Sequence, residues 1–147
     1  MDVQIIRMLP AQSGLLDRIA EDVFDDRIDL TRLAAYLADP SHLMVLAIAN
    51  GEVIGQARGV VHRHPDAPTE LYIDNLGVTP TRMREGIATR LLDDLVDWAL
   101  QLECEQAWVA TDVDNDPARA LYLGRGSEAE NVVMYFYEFG DAPGRRV

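Results

Sequence analysis

The stretch VTPTRMREGIATRLLDDLVDW, residues 78–98, contains the junction that decides the fold. After Gly86, apolar residues recur at the three-and-four spacing of an amphipathic helix: Ile87, Leu91, Leu95, Trp98 and Leu102. The preceding stretch ELYIDNLGV, residues 70–78, is rich in β-branched and aromatic residues, as strands are. The sequence therefore predicts a strand that passes into a helix near Gly86.

The start of this helix has the chemistry of an anion site. A first turn carries backbone N–H groups without partners inside the helix and a partial positive charge. Gly86 and Ala88 keep that end free of bulky side chains, so an anion can approach the backbone closely. Arg82 and Arg84 add local positive charge, while the P-loop and dinucleotide-binding glycine patterns are both missing. We predict a phosphate cradle.

Length and composition bound the class of protein. The chain has 147 residues, of which 48% are apolar and 26% charged, as in one ordinary globular domain. We expect that domain to span 1–139, with a frayed tail at 140–147. The single cysteine allows no internal disulfide, and neither a signal peptide nor a membrane-spanning apolar run is evident. A soluble cytoplasmic location is the expectation.

The charge balance limits the partners. A net charge of -12 argues against nucleic acid as the main partner, because polyanions select basic surfaces. Two explanations of this charge stay open: solubility alone, or a site that attracts cations. Local arginines in an acidic chain fit an anionic cofactor alongside a cationic substrate.

The predicted elements run β-α-α-β-β-β-α-β-α-β. Asn50-Gly51 is a strong two-residue hairpin signal. A helical crossover makes the strands at about 70–78 and 106–113 parallel, so the fold class is a mixed α/β sheet. The predicted helices cover about 12–24, 28–38, 84–103 and 117–123, and a last strand is expected at 131–139.

The helix start resembles the acetyl-coenzyme A motif of the GNAT N-acetyltransferases. Val78, Pro80, Gly86 and Ala88 fall on the matching positions, and Met83 stands where the family usually has Arg or Gln. The resemblance implies a mostly antiparallel mixed sheet, with splayed parallel central strands flanked by helices, and acetyl-CoA as cosubstrate. It assigns these residues to the cofactor: Leu76, Gly77, Val78, Met83, Arg84, Glu85, Gly86, Ile87, Ala88, Thr89, Asn115, Ala118 and Tyr122.

A second motif, NDPARALYLGRG at 115–126, resembles the short helix that follows the next strand in this family. Ser127 replaces the usual aromatic residue. The resemblance makes Tyr122 the general acid that protonates the departing thiolate. A phenol suits this task because its ordinary pKa, about 10, lies above that of a thiol. The alternative is an aromatic side chain that only packs in the core.

Between residues 70 and 136 the chain is similar to the type I aminoglycoside 3-N-acetyltransferases, which implies a role in antibiotic resistance. Asn75 stands at that family's strand aspartate, with Asp74 one place earlier. The expected acceptor is a polycationic amine, held by carboxylates, and the expected base is Asp74, then Asp112. The acceptor contacts implied are Asp26, Glu70, Tyr72, Asp74, Asn75, Asp112, Asp114 and Glu138.

A calcium loop is a rival interpretation of the aspartates after residue 111. Asp112, Asp114 and Asp116 begin like such a loop, but Pro117 stands where glycine is needed and Leu123 where a bidentate glutamate is needed. We predict no metal.

The three histidines, His42, His62 and His64, have no metal-ligand spacing with the cysteine and are interpreted as surface residues. Other acceptors, such as a polyamine, a protein N-terminus or a lysine, fit the same cofactor motif. A non-catalytic acyl-CoA-binding module and a structural or interaction protein also stay open, as does a homodimer.

Overall fold

The computed structural model describes residues 2–140, which form two compact units, 2–112 and 113–140. The expected frayed tail thus lies outside the described residues, except for Gly140. The first unit contains 3-10 helices at Pro10–Asp17 and Pro80–Arg82 and the following elements: β1 Gln4–Arg7, α1 Leu30–Ala38, β2 His42–Ala49, β3 Glu52–His62, β4 Glu70–Val78, α2 Ile87–Gln101 and β5 Gln106–Trp108. The second unit contains α3, Asp116–Gly124.

The sheet has the order β1-β2-β3-β4-β5. Its first three pairs are antiparallel, and β4 pairs with β5 in parallel. Helix α2 packs on one face, and α1 with the longer 3-10 helix lies on the other. This is the mixed, mostly antiparallel sheet that the sequence predicts. No helix within 2–140 combines the length and apolar character needed to cross a membrane.

Two turns follow from local sequence. At the β2–β3 hairpin, Asn50 and Gly51 have φ of 52° and 74°, the left-handed pair that a type I′ turn requires. At the β4–α2 junction, Arg84 and Gly86 are left-handed, with φ of 66° and 78°. This backbone is not helical, so α2 begins at Ile87, three residues later than expected.

A β-bulge interrupts β4 at Asp74. Arg58 is the partner of Asn75 and Gly59 is the partner of Ile73, so Asp74 is an extra residue without a partner on β3. The regular alternation of faces therefore ends at Ile73, and the bulge shifts the rest of the strand by one. Asn75 consequently shares a face with the even-numbered residues before the bulge.

The two parallel strands separate early. Strand β5 ends at Trp108, which pairs with Tyr72, although the sequence suggested a strand to about residue 113. Among the described residues, β4 beyond Tyr72 pairs with β3 alone. The second half of β4 therefore has no strand partner on the β5 side among the described residues, as a splayed pair requires.

A segment after the first 3-10 helix crosses the sheet. The helix predicted over 12–24 ends at Asp17, because the backbone beyond it pairs with β3: Val53 N–H donates to Arg18 C=O and Ala20 N–H donates to Val53 C=O, both at 2.9 Å. Val23 then packs directly over Gly77, where an added Cβ would lie 2.4 Å from the Val23 carbonyl oxygen.

Gly77→Ala is therefore expected to lower the free energy of unfolding by about 1–3 kcal/mol, because Val23 has to move. Urea denaturation measures this change. Gly124→Ala in α3 is the matched control, since an added Cβ meets nothing within 4 Å there. Equal stability of Gly77→Ala and the wild type would contradict the packing described.

The second unit has one capped helix. The Asn115 Oδ1 accepts a hydrogen bond from Ala118 N–H at 3.2 Å, which caps α3 close to its predicted bounds. The strand expected over 131–139 was wrong: this segment is exposed and has no regular secondary structure. Its residues have high strand propensity, but a strand needs a neighbour, and none of the described strands pairs with it.

Candidate active site

The turn before α2 presents a row of free backbone N–H groups. Met83 N–H donates to Pro80 C=O, and the next backbone donor with an acceptor is Arg90 N–H, which donates to Gly86 C=O at 3.1 Å. Within the described chain, the N–H groups of residues 84–89 have no acceptor. Left-handed residues in this turn give the concave backbone of an anion nest.

The cradle is open. A Cβ added to Gly86 would meet nothing within 4 Å, and the residues from Met83 to Gly86 are all exposed. No side chain therefore crowds the backbone at Gly86, and the turn from Met83 to Gly86 is accessible. The residues fit a pyrophosphate.

The two arginines of the junction differ in their partners. Arg82 Nε lies 2.9 Å from Glu85 Oε2, and this hydrogen bond holds the pKa of the Glu85 carboxyl below its usual range. Among the described residues Arg84 makes no ion pair. Arg84 is thus the arginine available to an anion, while the Met83 side chain is 58% exposed.

A hydrogen-bonded chain links the β4 bulge to the crossing segment. Gln56 is fully buried, and its Nε2 donates to Asn75 Oδ1 at 2.6 Å and to Val23 C=O at 3.1 Å. Asn75 Nδ2 donates in turn to Asp25 Oδ2 at 3.1 Å. Gln56 Oε1 is buried and has no partner among the described residues. An orphaned buried oxygen costs about 1–3 kcal/mol.

Sequence reasoning assigned Asn75 to this region but missed Gln56 and Asp25. The only signal for Gln56 was a polar residue inside the otherwise apolar stretch VIGQA of β3. Nothing in the local sequence distinguishes Asp25 from the other acidic residues of the crossing segment.

Asp74 lies at the bulge, exposed to solvent and within electrostatic reach of α1. Burial raises the pKa of the Tyr36 phenol, the Arg58 charge lowers it, and the Asp74 charge raises it further. The Tyr36 hydroxyl donates to Leu43 C=O at 2.7 Å. The expected base therefore lies on the α1 side of the sheet.

A cleft of about 710 Å³ lies on this side, formed by the longer 3-10 helix, the crossing segment and the start of α1. Three carboxylates line it, Asp17, Asp25 and Asp26, against one cation, Arg27. The cleft is thus negatively charged and suits a cationic ligand.

Other predicted acceptor residues lie elsewhere. The Tyr72 ring stacks on Trp108 with centroids 4.4 Å apart, and the Glu70 carboxylate accepts from Trp108 Nε1 at 3.2 Å. At about 3.3 Å per residue, Glu70 lies roughly 25 Å along β4 from Val78. The structure does not bring Glu70 to the cradle.

In the second unit, burial raises the pKa of the Tyr122 phenol, so its hydroxyl stays protonated at neutral pH. Asp114 is exposed and its C=O accepts from Asp116 N–H at 3.0 Å. Glu138 is exposed in the irregular segment, and Asp112 is exposed at the end of the first unit.

The separated parallel strands and the bulged β4 belong to a mixed α/β fold, and the free amides before α2 form a candidate anion site. The chain belongs to the Acetyltransferase (GNAT) family, whose family model matches residues 11–126.

Among curated proteins, the chain is similar to the N-alpha-acetyltransferase RimI of Mycobacterium tuberculosis, at 30% identity over 106 residues. That match covers 72% of this chain and 65% of RimI, just under two thirds of its length.

Among solved structures, one similar fold is the aminoglycoside acetyltransferase meta-AAC0020 from an uncultured soil metagenomic sample, in complex with trehalose. It has a TM-score of 0.80 at 20% identity over 95% of this chain and 97% of that one. Another is AAC(6')-Iy in complex with the bisubstrate analog CoA-S-monomethyl-acetylneamine. Its TM-score is 0.76 at 20% identity over 95% of this chain and 100% of that one. The second name specifies the 6' amine, so the expected 3-N type is not confirmed.

Proposed function

We propose that this GNAT acetyltransferase acetylates an amine of a polycationic small molecule of the aminoglycoside type. The observation that carries the proposal is the acidic cleft lined by Asp17, Asp25 and Asp26. Asp25 also ends the hydrogen-bonded chain that runs from Gln56 through Asn75. An ammonium-bearing sugar supplies positive charge and N–H donors, both of which carboxylates favour.

The proposed contacts to acetyl-CoA come mainly from backbone groups. The amides of residues 84–89 hold the pyrophosphate, Arg84 adds charge, and the open edge of β4 over 76–78 offers hydrogen bonds to the pantetheine arm. Met83 in place of Arg or Gln leaves these contacts intact, because the amides make them. Asn115 and Ala118 act indirectly, by capping the helix that carries Tyr122.

Bound acetyl-CoA supplies a thioester carbonyl as the electrophile. Asp74 accepts the proton that the acceptor ammonium must lose before its nitrogen can attack, and Asp112 is the alternative base. A backbone N–H near Val78 stabilises the developing oxyanion, and Tyr122 protonates the departing thiolate. Alignment of the two bound substrates accounts for much of the acceleration.

Thiol release from acetyl-CoA, measured with gentamicin-type and kanamycin-type aminoglycosides, polyamines and peptides with free N-termini, tests the acceptor class. We expect turnover with the aminoglycosides and acetylation at the 6' amine, identified by NMR of the product. The resemblance to the 3-N enzymes favours the 3-amine instead, and the same spectra distinguish the two. Turnover with peptides alone, as the similarity to RimI would favour, would contradict the proposal.

The acidic cleft yields a prediction on substrate affinity. Asp25→Asn combined with Asp26→Asn is expected to raise the KM for an aminoglycoside about tenfold, with little change in kcat, because two charge-assisted contacts weaken. Steady-state kinetics at low and high salt measure this, and the difference should shrink as salt screens the charges.

Asp66→Asn, in the β3–β4 loop outside the cleft, is the control for loss of one negative charge. The double variant removes two charges, so a rise in KM with this control that is half as large in free energy would make the effect one of overall charge and not of the site.

A further inference from the structure

A cluster of two histidines and a glutamate lies at the end of β4 remote from the cradle. His62 Nδ1 is 3.5 Å from Glu70 Oε1, and His64 Nε2 is 3.4 Å from the same oxygen. One ligand atom from each of the three residues lies within 4.8 Å of the other two. Because Val78 is roughly 25 Å away along the strand, the proposed acetyl transfer does not use this cluster.

The separations match those of ligands around one ion. In a tetrahedral zinc site, with ligands about 2.0–2.1 Å from the metal, neighbouring ligand atoms are roughly 3.3–3.4 Å apart. Two of the three separations here lie within about 0.2 Å of that value. Only the ligand nitrogens of the two imidazoles have to move closer together, and the centroids of the two rings are already 4.0 Å apart.

The backbone and a neighbouring side chain position the ligands. His62 ends β3 and is the register partner of Glu70, so the ladder itself holds two of the three groups side by side. Trp108 Nε1 donates to Glu70 Oε1 at 3.2 Å, the kind of outer hydrogen bond that orients a carboxylate ligand. The Glu70 side chain is only 19% exposed, so its position is restricted.

The three ligand atoms of the cluster favour one class of metal ion. Two imidazole nitrogens and one carboxylate oxygen suit late divalent transition metals, whereas calcium and magnesium prefer oxygen ligands alone. Three protein ligands leave a fourth tetrahedral position for water.

We propose that His62, His64 and Glu70 bind one divalent transition-metal ion, with Zn²⁺ the best fit, and that this ion ties the β3–β4 loop to the sheet. The sequence pattern alone gave no such indication, because the histidines have no metal-ligand spacing with the cysteine and the third ligand is six residues further along. The proposal is independent of the acceptor and of the acetyl-transfer chemistry.

The test uses the full, untagged chain, stripped of metal with a chelator that is then removed. Titration with ZnCl₂ against a chromophoric competing chelator should give one ion per chain, and a rise in Tm with zinc should accompany it. Mg²⁺ and Ca²⁺ at the same concentrations should not raise the Tm.

The variants Glu70→Gln and His64→Asn should each weaken zinc binding by about 100-fold or more, since loss of an outer partner alone costs roughly 10–100-fold. Asp66→Asn, in the same loop, and His42→Asn, at the third histidine, are the matched controls and should retain the wild-type affinity. Circular dichroism of every variant checks the fold.

Absence of stoichiometric zinc binding would overturn the proposal. So would binding that Glu70→Gln and His64→Asn leave unchanged, because the ion would then lie elsewhere on the acidic surface.

Discussion

Gly86→Val is expected to weaken acetyl-CoA binding by about 100-fold. Gly86 has φ of 78°, and a β-branched residue is strained in that conformation, so the turn must open and its amides lose their common direction. An N–H···phosphate hydrogen bond is worth about 1.5–3 kcal/mol, and a 100-fold loss corresponds to about 2.7 kcal/mol. Isothermal titration calorimetry with acetyl-CoA measures the change in Kd.

Gly51→Val is a matched control for backbone strain. Gly51 has φ of 74° in the β2–β3 hairpin, so the same substitution causes similar strain away from the cradle. Its Kd for acetyl-CoA should stay within about twofold of the wild type, even if its Tm falls. Equal loss of affinity in both variants would show that Gly86 acts through general stability and not through the cradle.

Features that depend on neighbouring residues were predictable from the sequence. The Asn50-Gly51 turn and the left-handed Gly86 follow from the conformational freedom of these residue types, and the face of α2 follows from its periodicity. The cradle could therefore be located without knowledge of the rest of the sheet.

Features that depend on distant segments were not predictable. The pattern of β4 continues through Asp74 without a sign of the bulge, because the register on β3 decides which residue is extra. Asp25 and Asn75 are 50 positions apart, and only the path of the crossing segment brings them together. The apolar stretch at 131–139 was predicted as a strand and is irregular, since strand propensity alone does not supply a partner strand.

These two groups of features correspond to the two substrates. In the proposed function, backbone amides in a turn that local sequence specifies bind the cofactor, so one short motif identifies the family. The acceptor is there bound by side chains whose positions depend on distant parts of the chain, such as Asp25. Sequence similarity in the motif therefore identifies acetyl-CoA more securely than it identifies the amine.

Tyr122→Phe is expected to lower kcat by about 100-fold or more, with the Kd for acetyl-CoA unchanged. The substitution keeps the ring and removes only the hydroxyl, which burial keeps protonated by raising its pKa. Loss of a positioned general acid costs roughly 10²–10⁴-fold in rate. Single-turnover kinetics, at saturating acetyl-CoA and acceptor, separate this chemical step from binding.

The leaving group gives a sharper test of the role of Tyr122. An acetyl thioester of a more acidic thiol needs less protonation as it departs, so the deficit of Tyr122→Phe relative to the wild type should shrink with such a donor. Tyr137→Phe, at a 60% exposed tyrosine, should match the wild type with both donors. A Tyr122→Phe variant with nearly full activity toward acetyl-CoA would make Tyr122 a packing residue, because its ring would then account for everything that the side chain contributes.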